Sequence, residues 1–95
     1  MTSYYRTSII VRVTGNRLDF LVNTLLEIRA KKEMREFLYG ILTPYELREI
    51  PIRLEIVKLL KLGMAQHRIA KELGVGVATV TRGSREIQKG RFKNV

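Results

Sequence analysis

The sequence predicts an all-α protein built around a helix-turn-helix, and three observations carry that prediction. Apolar residues recur at helical spacing from Leu18 onward, and a nearly complete helix-start signal stands at "LTPYELREI", residues 42–50. The stretch "QHRIAKELGVGVATVTRGSREI", residues 66–87, spaces small, glycine and apolar residues as two helices meeting at a turn require.

Composition narrows the function classes. A chain of 95 residues makes one domain at most and buries a modest fraction of its surface, which suits a thin core completed by a partner subunit. Eighteen Lys and Arg oppose nine Asp and Glu, a net charge of +9 with a pI near 10.4, and that balance attracts polyanions. Nucleic acid is the first candidate partner; a merely basic soluble protein is the plain alternative. With no cysteine and a single histidine there is no disulfide and no basis for a metal site. An enzyme is the least supported class: Thr81, Ser84 and Glu86 lie close in sequence, but no third group is placed to orient His67 as a base. No apolar run approaches the roughly 20 residues of a membrane span, and the N-terminus lacks a signal-peptide core. A cytoplasmic protein with no membrane partner is expected.

Residues 1–17 carry Arg6, Arg12 and Arg17 and no acid, and read as a basic N-terminal arm. A short strand around Ile9 to Val13, a tail lying along DNA and an end of no consequence are all open readings. From Leu18 to Ile41 the apolar positions Leu18, Leu21, Val22, Leu25, Leu26, Phe37, Leu38 and Ile41 predict one long helix, or two with a joint near Lys31. Its acids and bases balance, so its expected work is core and dimer formation. At Thr43 the signals converge: a hydroxyl to cap the first amides, Pro44 for the first helical position and Glu46 for a capping box. Pro51 disfavours helical geometry at Ile50, so this helix is expected to stop there and a new one to open at Pro51. That next helix turns Ile52, Ile56, Leu59 and Leu60 inward and ends at a left-handed Gly63.

Val75, Val77, Thr79, Val80 and Thr81 are β-branched and favour a strand by propensity alone. Helix-turn-helix packing overrides that preference: Ala70 is the small residue of the first helix, Gly74 the turn, and Ile69, Leu73, Val75 and Val80 the shared inner face. The first helix then covers 66–73 and the recognition helix roughly 77–88, within a helical domain of residues 18–88 followed by a basic tail, 89–95. Val77, Ala78 and Thr81 fall on the exposed side of the recognition helix, where small, mostly apolar side chains suit thymine methyls or water-mediated contacts. His67, Arg68 and Lys71 of the first helix can reach phosphates or a base edge; each is also compatible with a solvated surface. Gly83 is anomalous inside a helix, where glycine costs about 1 kcal/mol relative to alanine. Either something approaches the backbone there or the helix tolerates it.

"LTPYELREI", an arginine ten residues after its threonine, and "LGVGVATVTRGS" together resemble the tryptophan repressor family over residues 42–88, about half the chain, with weaker likeness back to residue 18. The "TRGS" ending makes the likeness fairly specific, since it belongs to that family's ligand site rather than to helix-turn-helix motifs in general. The resemblance implies an intertwined helical homodimer that binds a palindromic duplex operator, with L-tryptophan as corepressor. It places the indole between Arg53 and Arg82, with Gly83 leaving room beside it and Thr43 and Val57 lining the pocket. Glu86 stands where the family has a serine near the ligand's ammonium. His67 and Ala70 replace an arginine and a lysine, Ala65 replaces a hydroxyl cap, and "KGRFKNV" follows Gln88 in place of the family's last helix.

The sequence therefore points to a DNA-binding transcriptional repressor, non-enzymatic, and the resemblance implies tryptophan as its effector. A ligand-independent regulator of the same fold is the first alternative. A basic RNA-associated protein is the second, disfavoured because Tyr4, Tyr5 and Phe92, the aromatics available for stacking on bases, lie only at the ends.

Overall fold

The computed structural model describes residues 16–95, and among these the backbone forms five helices and no strand. Helices α1 (Arg17–Glu27) and α2 (Lys31–Ile41) belong to one compact unit that ends at Ile41. Helices α3 (Pro44–Lys61), α4 (Gln66–Leu73) and α5 (Val77–Gln88) make up a second, from Leu42 onward. The reading of the N-terminal arm, with Arg6 and Arg12, falls on residues outside the described ones.

Helix α1 starts where a side chain satisfies its free amides: Asn16 Oδ1 accepts from Leu18 N at 2.8 Å and Asp19 N at 3.2 Å. It ends at Ile28, whose backbone is extended, so the Leu18 to Ile41 segment is two helices separated by Ile28–Ala30.

Helix α3 opens on the capping box. Thr43 Oγ1 accepts from Glu46 N at 3.2 Å while Glu46 Oε1 accepts from Thr43 N at 2.9 Å. The backbone N–H of Thr43 is the main reason the Glu46 carboxyl titrates below its ordinary value.

The expected break at Pro51 is absent: α3 runs through it as one helix of 18 residues. An interior proline forfeits the bond to the carbonyl four residues back, here Leu47, and crowds it, at about 3 kcal/mol. The half beyond Pro51 offsets that cost by burying Ile56 and Val57 and resting Ile52, Leu59 and Leu60 on the core. With side chains worth about 1.5–3 kcal/mol each when fully buried, packing outweighs the local preference for a break. Gly63, at φ 90°, ends the helix in a Schellman turn, with Gly63 N donating to Leu60 O and Met64 N to Leu59 O.

Ile56 of α3, Ile69 of α4 and Val80 of α5 meet at the centre of the second unit, each 1% exposed or less. Leu73 and Val75 pack around them, so the inner face expected from the sequence is the face that is buried. Gly74, at φ 67°, makes the turn, and the amide of Val75 closes it on Ala70 O. Val80 shows why strand propensity loses: its helical penalty is below about 0.7 kcal/mol, and its burial is worth several times that.

The same junction accounts for Gly83. A Cβ at this position would lie 3.1 Å from Ile56 Cγ2 and 3.6 Å from Leu60 Cδ1, so glycine is what lets α5 approach α3 this closely.

Thr43→Ala lowers unfolding free energy by about 1 kcal/mol in urea titration, and Thr43→Ser retains most of it. Because Glu46 has a depressed folded-state pKa, the stability it contributes is complete above the ordinary glutamate value and is lost as pH falls through the lower folded value. Gly83→Ala gains about 1 kcal/mol of helix propensity but presses a Cβ to 3.1 Å from the buried Ile56, an overpacking cost of about 1–3 kcal/mol. A lower urea midpoint is expected; a higher one would show that Ile56 yields easily.

Candidate effector pocket and nucleic-acid interface

Packing α5 onto α3 leaves a narrow recess of about 90 Å³ beside the contact. Its floor is apolar: Ile56 and Val57, both buried, with Gly83. Its rim carries Arg53, Arg82 and Glu86. A wider recess, about 340 Å³, shares Arg53, Thr79 and Arg82 and extends to Ala78 in the first turn of α5. The two arginines thus border a slot that runs from the α3–α5 seam to the start of the recognition helix. Guanidinium planes stack on aromatic rings and pair with carboxylates in a two-pronged geometry, so this pair suits a planar anionic or zwitterionic ligand.

Glu86 supplies the opposite charge. Its Oε2 lies 3.1 Å from Lys89 Nζ and its Oε1 3.7 Å from Arg91 Nε. The hydrogen bond from Lys89 is the chief reason its carboxyl titrates below the ordinary value; burial opposes it, and the charges of Lys89, Arg82 and Arg91 favour the carboxylate further. Glu86 is therefore ionised at neutral pH. Lys89 and Arg91 are largely exposed, and such ion pairs are weak enough for a ligand ammonium to compete.

Of the residues assigned to the ligand from sequence, Arg53, Val57, Arg82, Gly83 and Glu86 come together around the narrow recess. Thr43 does not line it; its hydroxyl is engaged in the capping box of α3. Gly83 fits against Ile56 before it fits against any ligand. Sequence reasoning missed Phe92, which it left as a terminal aromatic. The ring is half-buried and lines the narrow recess. The available signal was Gly90, at φ 84°, which ends α5 in a second Schellman turn: Gly90 N donates to Ile87 O and Arg91 N to Glu86 O. The chain there reverses toward α3, where Lys61 Nζ donates to the carbonyls of Phe92 and of Val95, the latter at 2.7 Å.

The helix-turn-helix places its own set. His67, Arg68 and Lys71 are exposed on α4, and His67 and Lys71, four apart, share one face. Arg68 holds Glu72 at 3.1 Å in an exposed pair, which a phosphate can displace. Val77 and Ala78 are exposed in the first turn of α5. Thr81 differs from the expected exposed position: it is half-buried, and its hydroxyl lies 2.8 Å from Gln66 Oε1 and 3.0 Å from Val77 O. One hydroxyl hydrogen serves one of these acceptors at a time. The residue ties α5 to the start of α4, because the side chain four places after Val77 points back along the helix toward that junction. Ala65, at the N-cap of α4, offers no side-chain cap, and the Gln66 side chain is joined to Thr81 instead. Among the described residues no group of three His, Asp or Glu side chains is placed to hold a metal, and no helix is long and apolar enough to cross a membrane.

A family model described as Trp repressor protein matches residues 16–94. The chain is 31% identical over 79 residues to a Bacillus subtilis protein called "Uncharacterized protein YerC", covering 83% of this chain and 76% of that one. It is 41% identical over 59 residues to a "Trp operon repressor homolog" of Vibrio vulnificus, covering 61% of this chain and 58% of the relative. A Xylella fastidiosa protein of the same description is 29% identical over 77 residues, covering 80% of this chain and 84% of its own. No solved structure matches significantly. The matched span takes in all five helices, the helix-turn-helix and the Arg53 and Arg82 recess, and the chain belongs to the Trp repressor family, a family of transcription regulators and not of enzymes.

Proposed function

We propose that this chain is a DNA-binding transcriptional repressor that acts as a homodimer on a palindromic duplex operator, with L-tryptophan as corepressor in the slot between Arg53 and Arg82. The observation that carries the proposal is the position of that slot. It is bordered by two arginines and reaches Ala78 and Thr79, in the first turn of the recognition helix. A ligand there bears on the part of α5 that enters the major groove. The indole would stack between the guanidinium groups over Ile56, Val57 and Gly83; the carboxylate would pair with an arginine and the ammonium with Glu86.

His67, Arg68 and Lys71 would contact phosphates or base edges, with Val77 and Ala78 against the bases and Thr81 holding the two motif helices in register. Thr43 would then act through the start of α3 rather than from the pocket wall. Dimerisation is supported by what remains uncovered: Leu18 is 64% exposed, Leu26 71% and Tyr39 60%, while only four apolar side chains of the described residues are fully buried. Two-fold symmetry would set the half-sites about one helical turn apart. Such a regulator would work in the cytoplasm, where its DNA is.

Calorimetric titration with L-tryptophan tests the effector: saturable binding near one ligand per chain is expected, abolished in Arg82→Ala. No heat from the wild-type protein would remove tryptophan from the proposal. The DNA contacts have a separate signature. Lys71→Ala should weaken duplex binding about equally for all sequences and lower the slope of log affinity against log salt by about 1, whereas Ala78→Glu should abolish sequence preference. An unchanged salt slope in Lys71→Ala would take that residue off the phosphates.

A further inference from the structure

We propose that Phe92 is a specificity-determining wall of the effector pocket, so that the turn after α5 sets the size of aromatic amino acid the protein accepts. The inference rests on the proposed effector slot and adds a residue to it. Phe92 lines two recesses at once. On one side is the narrow one, with Val57, Arg82, Gly83 and Glu86; on the other is a recess of about 280 Å³ formed with Ile50, Arg53 and Leu54. Arg53 belongs to both as well, so Phe92 stands at the boundary of the two recesses along α3 and is placed to partition them.

The partition is held from both ends. Gly90 takes a left-handed conformation that reverses the chain, and the amide of Arg91 closes the reversal on Glu86 O. Beyond the ring, Lys61 Nζ binds the carbonyls of Phe92 and Val95. Arg91 Nε also approaches Glu86 Oε1, at 3.7 Å, so the ligand's proposed ammonium partner and the partition are fixed by one turn. A ring confined on that side meets an aromatic edge or face, a contact worth up to about tenfold in affinity. A ring longer than indole meets Phe92 as a barrier.

The test compares two ligands on three proteins by calorimetry: L-tryptophan and the bulkier L-2-naphthylalanine, on wild type, Phe92→Ala and Phe92→Leu, the last a variant that keeps a bulky apolar wall. Wild type should prefer tryptophan. In Phe92→Ala, tryptophan should bind about five- to tenfold more weakly and naphthylalanine should bind as well or better, so that the selectivity ratio falls at least about fivefold. Phe92→Leu should lie between. A merely structural role lowers both affinities together and leaves the ratio unchanged; that result overturns the inference while leaving the effector slot intact. If neither ligand binds either protein, the effector reading itself fails and the partition falls with it.

Discussion

The contact of α5 on α3 at Gly83 and Ile56 is the constraint on which the rest of this molecule depends. Without a Cβ on residue 83 the two helices close to a distance at which Ile56, Ile69 and Val80 exclude water together. The same closeness fixes where Arg82 and Glu86 emerge relative to Arg53 and turns the seam between the helices into a slot with an apolar floor. Core and candidate site are thus two sides of one helix contact. A glycine that weakens α5 as an isolated helix is retained because two other requirements meet on it.

That arrangement gives a physical route from a ligand to DNA. A recognition helix held by a few buried side chains has little reserve of packing energy, and its first turn, with Val77 and Ala78 exposed, is less firmly held than its middle. A ligand wedged between Arg53 and Arg82 would add contacts to that turn. It would shift binding only insofar as it prefers the DNA-competent placement of α5, which limits coupling to the difference between two affinities. Glu86 would bear on ligand choice, because its ionised carboxylate would favour a molecule with an ammonium group over one with only a carboxylate.

Much of this was legible in the sequence, and what was not had physical reasons. The capping box at Thr43, the left-handed Gly63 and Gly74, and the inward Ile69 and Val80 follow from local chemistry that neighbouring residues report directly. Pro51 was misread because its penalty is local, whereas the burial that offsets it comes from Ile56 and Val57 one to two turns later and from helices remote in sequence. Thr81 has a small polar side chain that looks like a surface residue until Gln66, fifteen positions earlier, is brought beside it. Phe92 was hidden for the same reason: only the reversal at Gly90 carries its ring back to α3. Contacts within a turn of helix can be read from spacing; contacts that depend on where the chain returns cannot.

The central claim is that the slot between α3 and α5 is energetically coupled to DNA binding. Its most direct test is the affinity of the protein for a duplex it has itself selected from a random pool, measured by fluorescence anisotropy at fixed salt with and without saturating L-tryptophan. The account predicts that tryptophan tightens binding by at least about fivefold, and that the protein on DNA binds tryptophan more tightly by the same factor, since such coupling is reciprocal. Equal duplex affinity with and without tryptophan would contradict it and leave a regulator of the same fold that reads DNA on its own.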